Sequence, residues 1–227
     1  MSIDTFTTLG ESAFTMRPYQ EEAVTAALKW LYDDGHPSGI IQLATGCGKT
    51  PMAGELIRRC IEQGRGHRFL FLAHRDELIT QAIDVLDDSG LSAGREQGKL
   101  RADSLFPAQV VVSTVQTMSR RLEQWSPDEF DMIIQDECHR GAGSTFNAIY
   151  DHFSSAKLLG ITATVDRNDR KRLDRFTEVI FRYSLYDAIK DEQGPFLTPL
   201  KFIRISLGAD LRKVRTIGRK EIGRAHV

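Results

Sequence analysis

The sequence is short of cysteine and has no long apolar run. Its 227 residues include three cysteines, at positions 47, 60 and 138, with no CxxC spacing. That number and spacing favour neither a disulfide framework nor a zinc site. No apolar run approaches the roughly 18–20 residues that cross a bilayer, and the first residues lack the basic head and apolar stretch of a signal peptide. We therefore expect a cytoplasmic protein with no membrane partner.

The sequence also lacks a strong charge of either sign. Thirty Lys and Arg residues face 31 Asp and Glu residues, which gives a formal net charge of −1. This balance excludes a binder whose whole surface is basic, so any contact with nucleic acid has to come from local patches. The hydrophobic fraction of 41% and the charged fraction of 27% are close to globular averages and exclude a disordered or collagen-like chain.

What the sequence does contain is an alternation of two patterns. Short runs that are apolar at almost every position occur at 39–43, 69–73, 110–112, 132–134 and 158–161. Such runs are typical of strands in a parallel sheet covered on both faces. Helical stripes lie between or before them, at 24–31, 53–61 and, more weakly, 78–86. The alternation predicts an α/β fold with a parallel, doubly wound sheet, whose ligands bind at the carboxyl ends of the strands. Further strands are expected near Leu91 and at 201–207.

A glycine-rich segment follows the first apolar run and precedes a helical stripe. It reads Gly46-Cys47-Gly48-Lys49-Thr50. Strand, glycine turn and helix form the context of a P-loop, in which backbone N–H groups surround phosphate oxygens. Lys49 suits the β- and γ-phosphates of a nucleotide, and the Thr50 hydroxyl suits Mg²⁺. Leu43 stands where the usual P-loop pattern opens with glycine.

An acidic pair follows the fourth apolar run, in the segment Asp136-Glu137-Cys138-His139. A carboxylate at the end of a strand in the same sheet as a P-loop suits Mg²⁺, so Asp136 is predicted as a second metal-binding residue beside Thr50. A neighbouring carboxylate can orient and deprotonate an attacking water, a role that suits Glu137.

Together these motifs resemble those of superfamily 2 helicases of the DEAD/DEAH-like group. The segments 44–50, 136–139 and 162–164 resemble motifs I, II and III of that family. The segment 17–20, Arg-Pro-Tyr-Gln, is similar to its adenine-reading motif, and 73–78 and 113–117 are similar to motifs Ia and Ib. The pattern most resembles the branch that holds restriction-enzyme motor subunits and related repair helicases. Cys138 stands where alanine is commoner, and Val165 where proline is common.

The resemblance implies a RecA-like P-loop domain that uses ATP and Mg²⁺ and acts on nucleic acid, with DNA favoured over RNA. Catalysis is assigned to Lys49, Asp136, Glu137 and His139. ATP binding is assigned to Arg17, Gln20, Thr45, Gly46, Cys47, Gly48, Lys49 and Thr50. Coupling of ATP to nucleic acid is assigned to Thr162 and Thr164, and nucleic-acid contact to Arg75, Thr114 and Gln116.

The same resemblance predicts an incomplete motor. We expect an N-terminal extension at 1–13, the RecA-like domain at 14–207, and at 208–220 the start of a linker to a missing second RecA-like domain. One back-translation of 221–227 matches a sequencing-library adapter, so we expect these residues to be a non-native tail. Because the second domain supplies arginine fingers to the reaction, we expect this chain to be a poor ATPase and no helicase.

Two other classes of function remain open on the sequence alone. A P-loop phosphotransferase for a small molecule would leave the segments 17–20, 136–139 and 162–164 unexplained. A non-catalytic scaffold that binds nucleic acid would not need Lys49, Asp136 and Glu137 to be intact.

Overall fold

The structure, a computed structural model, describes residues 9–10, 14–73, 75–102, 107–140, 143–165 and 175–199, apart from the side chain of Arg140. By its contacts the chain divides into two units, Met1–Leu197 and Thr198–Val227. All the described residues except 198 and 199 belong to the first unit. The expected strand at 201–207, the linker at 208–220 and the tail at 221–227 lie outside the described residues.

The first unit is built on a seven-stranded sheet whose paired strands all run parallel, in the order β3-β4-β2-β5-β6-β1-β7. The strands are β1 (Ser38–Leu43), β2 (Phe69–Ala73), β3 (Ala93–Glu96), β4 (Val110–Thr114), β5 (Met132–Asp136), β6 (Lys157–Thr162) and β7 (Val179–Tyr183). The helices are α1 (Pro18–Leu28), α2 (Lys49–Glu62), α3 (Asp76–Asp88), α4 (Val115–Ser119), α5 (Ser144–His152) and α6 (Leu185–Lys190). Shorter helical turns cover Lys29–Asp33, Leu122–Gln124 and Cys138–Arg140.

Both faces of the sheet are covered, which is why the strands are apolar at consecutive positions. Phe69 and Phe71 of β2 pack with α1, α2 and α3 on one face, whereas Leu70 and Leu72 pack with α4 and α5 on the other. Alternate side chains of a strand point to opposite faces, so a strand buried on both faces needs an apolar side chain at every position. The doubly wound parallel fold predicted from the sequence is therefore confirmed.

The five apolar runs all lie in strands, and the sheet has two more. The strand expected near Leu91 begins at Ala93 and forms one edge of the sheet; β7 forms the other edge. The third helical stripe was only partly right. In α3 the fully buried side chains are Ile79 and Leu86, with Ala82 close to that level, while residues 78 and 85 are half-buried.

The three cysteines are buried and free. Burial raises the pKa of Cys60 to about 11 and also raises the pKa values of Cys47 and Cys138, so these thiols stay protonated near neutral pH. Buried, protonated thiols pack as small apolar side chains. Within the described part of the chain, no helix is long and apolar enough to cross a membrane.

Candidate active site at the carboxyl edge of the sheet

The glycine-rich loop lies between the end of β1 at Leu43 and the start of α2 at Lys49. Its two glycines adopt left-handed backbone conformations, with φ of 86° at Gly46 and 71° at Gly48. L-residues with a side chain are strained in that region. The loop therefore needs glycine at both positions to turn tightly into the N-terminus of α2, where free N–H groups and the helix dipole favour an anion.

Helix α1 holds this loop from one side through Gln20. The Gln20 Nε2 amide donates to the carbonyl oxygens of Cys47, at 3.0 Å, and Gly48, at 3.2 Å. Gln20 Oε1 accepts from the backbone N–H of Arg17 at 2.8 Å and keeps a second lone pair. The predicted ATP-binding residues Arg17 and Gln20 are thus brought to the P-loop, while reading of adenine by Gln20 stays a prediction.

The acidic motif begins at the last residue of β5. Strand β6 separates β5 from β1, and because all three run parallel, Asp136 and the P-loop lie at the same edge of the sheet. Asp136 Oδ1 accepts from the backbone N–H of Glu137 at 3.0 Å. Glu137 has a φ of 49°, and it is the one non-glycine residue with a positive φ in the described part of the chain. Strained backbone of this kind is characteristic of functional sites.

Lys49 and Glu137 join the two motifs directly. Lys49 Nζ lies 2.5 Å from Glu137 Oε1, and the two side chains are only 15% and 21% exposed. The other carboxylate oxygen, Glu137 Oε2, is buried and has no hydrogen-bond partner among the described residues. His139 Nδ1 lies 3.3 Å from it, but without hydrogen-bond geometry. The Glu137 carboxylate is thus held by Lys49 through one oxygen and keeps hydrogen-bonding capacity on the other.

The environment of Asp136 favours its neutral form. Burial raises the pKa of the Asp136 carboxyl above its ordinary value of 3.8, the Glu137 carboxylate raises it further, and the Lys49 ammonium opposes both. A divalent cation beside Asp136 would offset this cost, because a bound cation favours the charged form of a carboxylate.

His139 connects the acidic motif to β6. Its Nδ1 lies 2.6 Å from the Thr162 hydroxyl oxygen, which donates to the carbonyl of Thr164 at 3.0 Å and accepts from the backbone N–H of Thr164 at 3.3 Å. A hydroxyl has one proton to donate. The Thr162 hydroxyl oxygen therefore has two partners, the His139 ring and the backbone of Thr164. The structure thus brings together His139, Thr162 and Thr164, the residues predicted to couple ATP to nucleic acid.

The predicted nucleic-acid residues lie further along the same edge. Arg75 follows β2 and is exposed, and Gln116 is exposed on α4, which follows β4. Thr114 is different: it is buried, and its hydroxyl caps α4 by accepting from the Thr117 N–H at 3.3 Å. Its side chain is therefore engaged within the fold, and its contact with nucleic acid stays a prediction.

The end of β7 and the segment that follows it, which the sequence did not single out, also reach the P-loop. The Tyr19 ring stacks on Tyr183 with centroids 4.1 Å apart, and Phe196 packs against Tyr19 edge-on at 5.1 Å. The Arg17 guanidinium lies 5.3 Å from the Phe196 ring centroid, and Leu197 Cδ2 lies 3.1 Å from where a Cβ on Gly46 would stand. Only the aromatic and β-branched residues of 179–183 indicated a strand here. Nothing in the sequence indicated that this strand would pack against Tyr19.

The site fits ATP with Mg²⁺. The glycine turn leads directly into the N-terminus of α2, whose free N–H groups are donors for phosphate oxygens. Mg²⁺ is usually held by one or two protein oxygens together with substrate phosphates and water. Thr50 in the first turn of α2 and Asp136 at the end of β5 are hard oxygen donors of that kind.

Comparisons with known proteins agree with this geometry. The family model described as type III restriction enzyme, res subunit (ResIII), matches residues 13–167. The type I restriction enzyme EcoAI endonuclease subunit of Escherichia coli is 31% identical over 207 residues, which is 86% of this chain and 25% of that protein. The DNA 3'-5' helicase XPB of Kineococcus radiotolerans is 26% identical over 176 residues, 74% of this chain and 29% of that protein.

A solved structure shows the same fold. The UvsW helicase from bacteriophage T4 superposes with a TM-score of 0.61 at 22% identity, over 77% of this chain and 63% of that one. The architecture is therefore that of a RecA-like domain. This chain spans between a quarter and a third of the length of the two curated relatives. The resemblance to superfamily 2 helicases is confirmed, and the chain belongs to the ResIII family of restriction-enzyme and helicase motors.

Proposed function

We propose that this chain is the ATP-binding motor domain of a nucleic-acid-dependent ATPase, which couples Mg-ATP hydrolysis to unwinding of, or translocation on, DNA. The observation that carries the proposal is the 2.5 Å contact between Lys49 Nζ and Glu137 Oε1. It brings the P-loop and the acidic motif to one edge of the sheet, where a triphosphate would lie between them. Membership of a helicase and restriction-motor family supports the same reaction.

The roles of the residues follow from their positions. The N–H groups of the glycine turn and of the first turn of α2 bind phosphate oxygens, and Lys49 neutralises charge on the β- and γ-phosphates. Asp136 and the Thr50 hydroxyl hold Mg²⁺, which would neutralise the charge that develops on the phosphates. Glu137, whose carboxylate ends beside Lys49, orients a water and accepts its proton.

Two further groups would link this reaction to nucleic acid. His139 lies next to Glu137 and contacts Thr162, so a change at the phosphates can reach the end of β6 through two side chains. Arg75 and Gln116, exposed at the ends of β2 and β4, contact phosphates of the strand without reading its sequence. DNA is favoured over RNA because the relatives include a DNA helicase and a restriction enzyme.

The proposal includes a second RecA-like domain outside this chain, because the chain matches only part of its curated relatives. That domain would supply arginine fingers, an effect worth about 10³–10⁵ in rate in related enzymes. We therefore expect residues 1–227 to bind Mg-ATP, to hydrolyse it slowly and to displace no strand. Polynucleotide-stimulated turnover at about 1–100 s⁻¹, the range typical of kinases, would overturn this part of the proposal.

The test is titration of the chain with ATP and Mg²⁺, and separately with single-stranded DNA, duplex DNA and RNA. Lys49→Ala should weaken ATP binding about 10- to 150-fold, the value of one charge-assisted hydrogen bond. Lys29→Ala, which removes an exposed lysine paired with Asp34, is the matched control and should bind ATP as the parent does.

Other outcomes would favour the other two classes of function. ATP binding with no affinity for any polynucleotide would favour a small-molecule phosphotransferase. Polynucleotide binding with no affinity for ATP, unchanged by Lys49→Ala, would favour a non-catalytic scaffold.

A further inference from the structure

A tight hairpin follows the edge strand β3. The backbone N–H of Leu100 donates to the Gln97 carbonyl at 2.8 Å, and the N–H of Gln97 donates to the Leu100 carbonyl at 3.2 Å. Gly98, with φ of 57°, and Lys99 form the two-residue turn between them. Two-residue turns of this kind need a left-handed conformation, which glycine adopts without strain.

The hairpin projects from the same edge of the sheet as the proposed nucleic-acid residues. Glu96, the last residue of β3, is in register with Ser113 of β4, and Ser113 is in register with Leu72 of β2. Because the three strands are parallel, the segments that follow them leave the sheet side by side. Arg75 follows β2, Gln116 follows β4, and the hairpin follows β3.

A buried carboxylate fixes the base of this hairpin. Glu96 is 1% exposed and accepts from Arg101 Nη1 at 2.8 Å, from the Ala102 N–H at 3.0 Å, and from Arg121. Arg121, which lies just after α4, also donates to the carbonyl of Gly98. A buried ion pair with all of its hydrogen bonds made keeps the residues that form it in a single arrangement. The hairpin is thus tied to α4, the helix that carries Gln116.

The exposed surface of the hairpin combines positive charge with an apolar tip. The segments 95–101 and 120–121 contain five cationic side chains and one carboxylate, the buried Glu96. The exposed cations include Lys99, Arg101 and Arg120. Leu100 is 54% exposed, and only two other large hydrophobic side chains in the described part of the chain, Leu185 and Tyr186 of α6, are exposed in this way.

We propose that the tip Gly98–Lys99–Leu100 is a further nucleic-acid contact, with Lys99 on a phosphate and Leu100 against a base or sugar of the same strand. A basic patch around an apolar side chain complements a polyanion whose bases have apolar faces. The proposal rests on the proposed function, because it extends the surface formed by Arg75 and Gln116. It adds an apolar contact, which phosphate binding alone does not supply.

The test is the affinity of the 227-residue chain for a labelled oligonucleotide, measured by fluorescence anisotropy over a range of KCl concentrations. Lys99→Ala should weaken binding about 3- to 10-fold and reduce the slope of log affinity against log salt by about 1. Leu100→Ser should weaken binding to a similar extent with the slope unchanged, and Leu100→Met should retain most of the affinity.

Matched controls lie away from the hairpin: one precedes β1, and the other follows β7, the strand at the opposite end of the sheet from β3. Lys29→Ala removes an exposed lysine that precedes β1, and Leu185→Ser changes an exposed leucine of α6. Both should bind the oligonucleotide as the parent does. ATP affinity and thermal midpoint should be the same in all these variants, because the substituted side chains are exposed.

Two results separate failure of this inference from failure of the proposed function. If Arg75→Ala weakens binding while Lys99→Ala and Leu100→Ser do not, the hairpin is no nucleic-acid contact and the proposed function stands; a hairpin that docks a protein would give this result. If the parent chain binds no polynucleotide at any salt concentration, the proposed function fails and the inference fails with it.

Discussion

Lys49 Nζ and Glu137 Oε1 lie 2.5 Å apart, although 88 residues separate them in the sequence. The contact exists because β1 and β5 are parallel strands with only β6 between them, so the segments after Leu43 and Asp136 meet at one edge. Glu137 neutralises the ammonium group that a triphosphate would need. A phosphate group therefore has to compete with Glu137 for Lys49.

This competition predicts opposite effects for the two halves of the ion pair. Glu137→Gln removes the competing charge, so ATP affinity should stay the same or rise, whereas Lys49→Ala should lower it about 10- to 150-fold. Single-turnover hydrolysis with excess protein should fall about 10²- to 10⁴-fold in Glu137→Gln, because the general base is lost. Isothermal titration and product analysis measure both quantities.

The control is Glu62→Gln, which removes an exposed carboxylate that pairs with Arg58 on α2. It should change neither ATP affinity nor hydrolysis. If Glu137→Gln weakened ATP binding as strongly as Lys49→Ala, the ion pair would be a structural support for the loop and the competition would be refuted.

A second prediction concerns Asp136 and pH. Its pKa is raised above 3.8, chiefly by burial, so the folded protein binds this proton more tightly than the unfolded chain does. The charged carboxylate therefore destabilises the fold, and this cost appears as pH rises above about 3.8 and is complete above the raised pKa. Asp136→Asn should have a higher thermal midpoint than the parent at pH 7, and the difference should shrink as pH falls toward 4.

The same substitution should abolish Mg²⁺-dependent ATP hydrolysis, because the amide is a weak ligand for this cation. Asp136→Asn should thus stabilise the protein and inactivate it, because the active site requires a buried charge that destabilises the folded state. A parent protein more stable than Asp136→Asn at pH 7, or a difference independent of pH, would show that burial is not the dominant influence on this carboxylate.

Strands and helices could be predicted from the sequence where the pattern lies in neighbouring residues. The five strands β1, β2, β4, β5 and β6 were visible because burial on both faces demands consecutive apolar residues. Strand β3, Ala-Gly-Arg-Glu, has no such run, because it pairs with a neighbour on one side only and ends in a carboxylate that arginines neutralise. In α3 the predicted stripe was right at Ala82 and Leu86 but took Leu78 in place of its neighbour Ile79, because both residues are apolar.

The candidate site was predictable where chemistry is tied to a motif and not where it depends on distant contacts. Gly46 and Lys49 come soon after β1, and Asp136 is the last residue of β5. Because the strands are parallel, all three residues must lie at the carboxyl edge of the sheet. The stacking of Tyr19 on Tyr183 and the contact of Leu197 with the P-loop depend on the path of the chain after β7. No residue pattern near Tyr19 encodes that path.

A third prediction tests the tight fit of Gln20 against the P-loop. A Cβ on Gly48 would lie 2.5 Å from Gln20 Nε2, and the φ of 71° adds strain. Gly48→Ala should therefore lose about 1–2 kcal/mol from the left-handed backbone and about 1–3 kcal/mol more from the clash. Gly64→Ala is the matched control, because its φ is 65° but no atom lies within 4 Å of its Cβ position.

Chemical denaturation gives both free energies of unfolding, and Gln20→Ala completes the comparison. In the double variant that carries both Gly48→Ala and Gln20→Ala, the clash is absent. Its loss in free energy of unfolding should therefore be smaller than the sum of the losses in the two single variants. Equal losses for Gly48→Ala and Gly64→Ala would mean that Gln20 moves aside freely and does not hold the loop.

The last prediction concerns the proton between His139 and Thr162. Because the Thr162 hydroxyl donates to the Thr164 carbonyl, neutral His139 should carry its hydrogen on Nδ1. The ¹⁵N chemical shifts of the two ring nitrogens of His139, recorded with the ring neutral, should report this tautomer. Thr162→Val keeps the shape of the side chain but removes the acceptor, so the population should shift toward the Nε2–H form. Thr177→Val, which removes a hydroxyl bonded to the Ser38 carbonyl at the opposite end of β1, should leave the His139 shifts unchanged.

A double-mutant cycle measures how strongly the two residues are coupled. Thr162→Val and His139→Ala should each destabilise the protein, and the double variant should be about 0.5–1.5 kcal/mol more stable than additivity predicts, the usual net value of one hydrogen bond. An Nε2–H tautomer in the parent would reverse the direction of this hydrogen bond, and additive losses would show that the two side chains are not coupled. The link from Glu137 through His139 to β6 would then lack the donor that it requires.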